Sequence, residues 1–494
     1  MPTTRLEFRP SVAALAVPAL IPLPLLAQDC DPADLFAPDV TYGVVDFPTS
    51  VVIGDLDGDG DADLAVANLP GRVSVLLNYG DGTFAPDVTY GTGFGPYSLA
   101  IGDLDGDGDP ELDDANFGAN NVSVLLNNGD GTFAPDVLYD VGDGPRFVAI
   151  GDLDGDGAPD LAVANNRSDG FGVLLNNGDG TFATQVAYDA GDGPLGVAIG
   201  DLDGDGDADL AVANVFSADV SVRLNNGDGT FEPEVLYDAG VDPYSAAIGD
   251  LDGDGDNDLA LMGGSERVSV LLNNGDGTFA PRVRYRAGPS PRGFSIGDLD
   301  GDGDVDLAVA TQGGDDVSVL LNNGDGTFAE RVLYGAGSFP YFAAIGDLNG
   351  DRAPDLVVAN RNTDNISVLL NQCGPFLPVI TAQPGSLVAD RGADPVDLSV
   401  VADRADTFQW FFNGEAITDS PRFSGTDTDT LSVAPRLGTE GVYRVEVSSV
   451  AGVVTSDDAV LAVIDRCRGD FNGDGVLNIF DFLAYQNAFV RGCP

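Results

Sequence analysis

The chain has 494 residues, 43% of them hydrophobic, and sets 80 acidic side chains against 22 basic ones for a formal charge of −58. That apolar fraction is too high for a disordered acidic polymer, so the charge sits on a folded scaffold long enough for several domains. A surface this negative repels nucleic acid and anionic membranes. With no histidine in the sequence, Ser-His-Asp and Cys-His nucleophile systems, His-ligated zinc and an imidazole base are excluded.

At the N-terminus, Arg5 and Arg9 precede an apolar run over 11–26 that ends at Ala27. This is the build of a secretory signal peptide, expected over residues 1–27. The run is short for a membrane span and is broken by Pro18, Pro22 and Pro24, so no membrane insertion is expected. Asp29 rather than a small residue precedes Cys30, which argues against a lipoprotein. The mature chain is expected to be secreted or held at the cell surface, where disulfides survive.

From residue 35 the sequence repeats. Acidic loops begin at Asp55, Asp103, Asp152, Asp201, Asp250, Asp298 and Asp347, spaced by 48 or 49 residues. Each unit reads as four short strands, which is the pattern of a propeller blade. In the second unit they are SLAIGD, a short DDAN piece, NVSVLLN and TFAPDVLY, whereas other units have DLAVAN in second place. An NNGDGTF or NYGDGTF turn joins the third and fourth strands six times. Asp81, Asp130, Asp179, Asp228, Asp276 and Asp325 of those turns read as turn formers rather than ligands. The ends complement one another: 35–43 matches a fourth strand with no first three, and 365–373 a third strand with no fourth. Together they complete a seventh blade, and a Cys30–Cys373 disulfide would clamp the seam.

The acidic loops crowd charge. Two carboxylates at ~4 Å repel by about 4 kcal/mol at an effective dielectric near 20. In the first loop Asp55, Asp57 and Asp59 hold positions 1, 3 and 5, Gly60 holds 6, Asp61 holds 7, and Asp63 closes the pattern at 9. This matches the first half of an EF-hand loop. The further copies are Asp103, Asp105, Asp107, Asp109 and Glu111; Asp152, Asp154, Asp156 and Asp160; Asp201, Asp203, Asp205, Asp207 and Asp209. They continue with Asp250, Asp252, Asp254, Asp256 and Asp258; Asp298, Asp300, Asp302, Asp304 and Asp306; and Asp347, Asn349, Asp351 and Asp355. Position 7 is Ala158 or Ala353 in two copies, as expected if only its carbonyl coordinates. Oxygen donors without nitrogen or sulfur select Ca²⁺, which offsets the repulsion. The last loop has Arg352 in place of the turn glycine and is expected to bind most weakly.

These loops and their period resemble the FG-GAP or VCBS repeats of bacterial secreted proteins and of the integrin α-chain propeller, over about residues 35–373. The resemblance implies a seven-bladed β-propeller with Ca²⁺ in the loops joining first and second strands, and a partner face at the opposite end. On that face the residue after the interblade proline varies: Thr49, Tyr97, Arg146, Leu195, Tyr244, Arg292 and Tyr341. Tyr and Arg suit recognition, so Tyr97, Arg146, Tyr244, Arg292 and Tyr341 are the candidate ligand contacts.

Beyond Cys373 the composition changes. Short alternating strands are predicted over 397–402, 407–412, 430–433, 441–448 and 459–464. Trp410 and Tyr443 resemble the core Trp and tyrosine corner of an immunoglobulin-like β-sandwich, with Val400 and Val445 at the usual cysteine positions. In the last stretch Asp470, Asn472, Asp474, Val476, Asn478 and Asp481 fit an EF-hand loop, followed by an apolar helical stripe. It resembles a single dockerin unit bracketed by Cys467 and Cys493, as in GC-type dockerin tails.

The expected chain is therefore all-β with a short helical tail. It divides into a signal peptide at 1–27, a propeller at 28–374, an immunoglobulin-like domain at 375–465 and an EF-hand/dockerin-like tail at 466–494. The expected function is non-catalytic, Ca²⁺-dependent extracellular binding or adhesion by a monomer. A glycan or protein is its ligand, and a cohesin-like or cell-surface partner takes the tail. The alternative is a polysaccharide lyase or hydrolase, using Tyr and Arg on the partner face or a carboxylate pair such as Asp46 and Glu266. None of the seven units carries an insertion of the kind an active site uses to break symmetry, which favours binding.

Overall fold

A computed structural model of the chain describes residues 32–264, 266–373, 379–390, 395–403, 407–436, 438–449 and 452–464. The expected signal peptide and dockerin-like tail, with Cys30, Cys467 and Cys493, lie outside the described residues.

Four strands build the first sheet: Pro48–Gly54, Asp63–Asn68, Arg72–Leu76 and Val88–Gly91, antiparallel and in chain order. Five sheets repeat it, from Pro96–Gly102 through to Val332–Gly335. The seventh joins Pro340–Gly346, Asp355–Asn360 and Asn365–Leu369 to Val40–Gly43 from the start of the chain, in the register Val40 to Val368 and Gly43 to Asn365. The seam read from the two incomplete repeats is thus a paired strand. DDAN, read as a short piece, is part of the six-residue strand Glu111–Asn116.

Burial follows position in the sheet. Second strands such as Asp63–Asn68 are buried on every residue because neighbouring sheets cover both faces, whereas fourth strands such as Val88–Gly91 are mostly exposed. First strands of consecutive sheets pack together, and Pro340–Gly346 packs on Pro48–Gly54 to close the ring.

Three repeated contacts hold the ring. At the inner strand a glycine receives an isoleucine of the next sheet: a Cβ on Gly54 would lie 2.5 Å from Ile101, and one on Gly346 would lie 3.0 Å from Ile53 across the seam. A larger residue there would force the isoleucine to shift. At the outer edge each fourth-strand Tyr meets a Phe of the next sheet at 5.1–5.3 Å, from Tyr42–Phe84 round to Tyr334–Phe36, a separation suited to edge-to-face rings. Between them, the Asn that follows each third strand donates to the preceding sheet: Asn127 Nδ2 to the Leu56 carbonyl at 2.9 Å, and Asn78 to that of Leu348 at 2.7 Å across the seam.

The later residues form separate sheets around a core of Leu398, Val400, Trp410, Leu431, Tyr443, Val445 and Leu461. Thr407–Phe412, Thr430–Val433 and Ala459–Ile464 have their predicted bounds. The Tyr443 hydroxyl donates to the Thr439 carbonyl at 2.6 Å, and Trp410 Nε1 donates to Thr428 at 2.8 Å, so both buried polar handles are satisfied.

Candidate functional site

Each acidic loop joins the first two strands of its sheet, so all seven lie at one end of the ring. The position-1 carboxylate organises the turn: Asp55 accepts from the Gly58 and Gly60 amides at 2.8 and 3.0 Å. Asp57 and Asp59 accept from amides two residues on. Position 9 anchors the base, since the buried Asp63 accepts from the Leu56 amide at 2.9 Å and the Asn78 amide at 2.7 Å. The same pair of bonds recurs in every loop; Glu111, one methylene longer, reaches the Asn127 amide only at 3.2 Å.

Position 7 behaves differently. A Cβ on the hairpin glycine Gly80 would meet the Asp61 carboxylate at 2.4 Å, and Gly129, Gly227, Gly275 and Gly324 stand likewise against Asp109, Asp207, Asp256 and Asp304. That side chain turns onto the hairpin. The hairpin aspartates close their own turns, as Asp81 does by accepting from the Thr83 amide at 3.1 Å.

Carboxylate oxygens converge in six groups among the described residues, each with its oxygens within 4.8 Å of one another. Five are Asp55–Asp57–Asp63, Asp103–Asp105–Asp107, Asp152–Asp154–Asp160, Asp201–Asp203–Asp209 and Asp250–Asp252–Asp254. Burial raises the position-9 carboxyls against the pull of their amide partners: Asp63, Asp160, Asp209 and Asp258 to about 6, Glu111 and Asp355 to about 7, and Asp306 to about 8. Nearby carboxylates add to the rise. A clustered, partly desolvated set of hard oxygens is the donor chemistry of a divalent cation, so these residues fit one.

The other end of the ring is built by the interblade turns and those between second and third strands. There the pairing of first and second strands slips at the interblade proline, between Pro96 and Ser98 for example, and does so in all seven sheets. A bulge re-aims the residue it leaves unpaired. Tyr97, Arg146, Leu195, Tyr244, Arg292 and Tyr341 accordingly line one cavity of about 300 Å³. Thr49 lines it too but is buried, its hydroxyl donating to the carbonyls of Ala67 and Pro96. Phe147, Ser245, Gly293, Phe342 and Arg361 complete the lining. Asp46 and Glu266 are not part of it.

Cations and rings interleave in this cavity. The Arg146 guanidinium lies 4.0 Å from the Tyr97 ring and 4.2 Å from Phe117, and Arg167 covers Phe117 at 4.1 Å. Arg292 lies 4.9 Å from Tyr244, and Arg361 lies 5.1 Å from Tyr341. Phe117, Arg167 and Arg361 were not legible as candidates from the interblade frame. Their signal was the variation of the second-to-third-strand turns, where aromatic and basic residues replace small polar ones. Phe47, Phe94 and Phe216 stand exposed on loops of the same end.

A ring of repeated four-stranded sheets with an acidic loop at one end of each defines a propeller-like repeat protein. Residues 36–112, 115–163, 152–212, 203–261, 250–309 and 298–358 match the FG-GAP-like repeat. The chain belongs to that family. No curated protein matches its sequence. Among solved structures it is similar to the periplasmic gluconolactonase PpgL of Pseudomonas aeruginosa, with 17% identity over 59% of this chain and 86% of that one and a TM-score of 0.43. It is also similar to the V. cholerae biofilm matrix protein Bap1, with 14% identity over 67% and 88% and a TM-score of 0.37. Titin M4 matches 18% of this chain and 96% of its own at 25% identity, with a TM-score of 0.16. Among the described residues no helix is long and apolar enough to cross a membrane.

Proposed function

We propose that the chain is a secreted, Ca²⁺-binding, non-catalytic binding protein whose seven-bladed propeller takes a glycan or protein ligand on the face opposite its acidic loops. One observation carries this reading: the residues that vary in an otherwise repeated frame converge on one cavity at the ring axis. In this reading the acidic loops hold Ca²⁺ through positions 1, 3, 5 and 9 and the position-7 carbonyl, which keeps the ring rigid beneath the binding face. The domain after residue 375 is an immunoglobulin-like spacer, supported by the buried Trp410 and the Tyr443 hydroxyl bond. The tail docks to a cohesin-like or surface partner.

Cys373 is disulfide-bonded to a residue outside the described ones. Cys30 is the proposed partner, leaving Cys467 to pair with Cys493. The carboxylate-pair form of the polysaccharide-active reading finds less support, because among the described residues no Asp or Glu lines the axial cavity; the form that uses Tyr and Arg remains the alternative.

A saccharide and polysaccharide binding screen in millimolar Ca²⁺, with products followed in parallel, tests the proposal. Retention without products is the expected result. New reducing or unsaturated ends would replace binding with catalysis.

A further inference from the structure

The 22 basic residues are all Arg, outnumbered by 80 acids, and the axial cavity gathers three of them. None of Arg146, Arg167, Arg292 and Arg361 forms an ion pair among the described residues, although Arg282 and Arg286 elsewhere take Asp238 and Glu266. The Nε of Arg146 is buried without a hydrogen-bond partner. Three acids on the loops of this face accept backbone amides: Asp364 from Phe47 at 2.9 Å, Asp169 from Gly193 at 3.0 Å and Asp315 from Phe339 at 2.9 Å. The guanidiniums are thus held by rings rather than by counter-charges. A guanidinium held over an aromatic ring still offers N–H donors, and these match a planar carboxylate.

We propose that this cavity takes a single carboxylate-bearing sugar ring, the terminal uronic-acid unit of a saccharide, with Arg146 and Arg292 pairing the carboxylate and the tyrosines stacking on the ring. The proposal rests on the axial face being the binding face. The cations call for an anion. The rings select its shape: Tyr97 and Tyr341 stand 6.5 Å apart and Tyr244 lines the same cavity, so a bare phosphate would leave idle the ring surface that the guanidiniums do not cover, while the C–H face of a sugar would cover it. The cavity's volume, about 300 Å³, lies at the small end of ligand pockets and suits one ring rather than a polymer segment. Charge points the same way. Within a Debye length of about 8 Å the cavity arginines attract one carboxylate, while the further carboxylates of a charged polymer would lie against the acidic surface of a chain of net charge −58 and be repelled.

Calorimetric titration of the full chain in millimolar Ca²⁺ tests this with a uronic-acid-terminated oligosaccharide, its methyl ester and a neutral oligosaccharide of equal length. The acid should bind about tenfold or more tightly than the ester, and weaken as salt rises from about 0.05 to about 0.5 M. Arg146→Gln and Arg292→Gln should each lose about tenfold for the acid at unchanged melting temperature, and Arg146→Lys should recover only part of it. If the ester and neutral sugar bind as well as the acid and Tyr341→Ala abolishes all three, the acidic specificity falls while the binding face stands. If the acid binds but neither the Arg nor the Tyr variants change its affinity, both readings fall; if no saccharide binds, the sugar assignment falls. Binding of acidic peptides or inorganic phosphate with no saccharide response overturns the sugar assignment.

Discussion

Asp113 and Asp114 stand on the second strand of the second sheet, where the first sheet has Ala65 and Val66. Both are fully buried, and no oxygen of either has a hydrogen-bond partner at ordinary geometry, though the Thr92 hydroxyl beside Asp114 relieves it somewhat. Burial first, then the neighbouring carboxyls, holds both well above the usual carboxylate range. A carboxyl with a raised native value binds more protons folded than unfolded, so its contribution falls as pH rises from about 4, the unfolded value, toward the native one. Asp113→Ala with Asp114→Val should therefore stabilise the chain at pH near 7.5 by about 2–4 kcal/mol. The gain should shrink near pH 4. Chemical denaturation at both pH values measures it, and equal gains would contradict the burial argument. At the last loop Arg352 sits at φ +71°, where Gly60 holds +94° in the first. Arg352→Gly should relieve about 1 kcal/mol of backbone strain and tighten cation binding at that loop, read by denaturation with and without Ca²⁺.

The Asn that follows each third strand couples neighbouring sheets. The Asn225 amide donates to the Asp209 carboxylate at 2.7 Å, while its side chain donates to the carbonyls of Leu153 in the preceding loop and Ala208 in its own, both at 2.8 Å. Every acidic loop is tied to the next in this way. Asn225→Ala strands two buried carbonyls and should cost about 2–3 kcal/mol, with a co-operative transition retained; a loss under about 0.5 kcal/mol would show that the carbonyls find water instead. These ties were hidden in the sequence, because an Asn after LL reads as a turn residue until the neighbouring sheet is in place. The strands themselves were legible, since DLAVAN and its register recur with the period and the incomplete ends match across the seam. The bulge at the interblade proline was not legible. Alternation alone does not reveal which residue a ladder will skip, so Tyr97 and Arg146 could be named as variable but not aimed. In the later sheets Leu387–Asp390 and Gly452–Thr455 went unread because short edge strands carry little alternation of their own.

At the scale of the ring, the proposed Ca²⁺ sites would set the conditions under which the molecule is stable. Extracellular sites bind Ca²⁺ at about 10⁻⁴ to 10⁻³ M, and each site filled at roughly 100 times its Kd adds about 2.7 kcal/mol. Several such sites rival a domain's whole net stability of about 5–15 kcal/mol. Metal analysis should find more than about five Ca²⁺ per chain, given six converging carboxylate groups among the described residues, and chelation should lower the melting temperature steeply at low salt and less at high salt. The pH response separates this from a general salt effect. Without the ion, position-9 carboxyls held at about 6 to about 8 keep protons that the unfolded chain releases, so the chelated protein should melt higher as pH falls from about 8 toward about 6. With Ca²⁺ bound, protons compete for the same oxygens and acidification should lower the melting temperature, so the two curves converge as the solution is acidified. A chain that retains one ion or none in millimolar Ca²⁺, and whose curves run parallel with and without chelator, would mean that buried amide bonds alone offset the crowded charge of these loops.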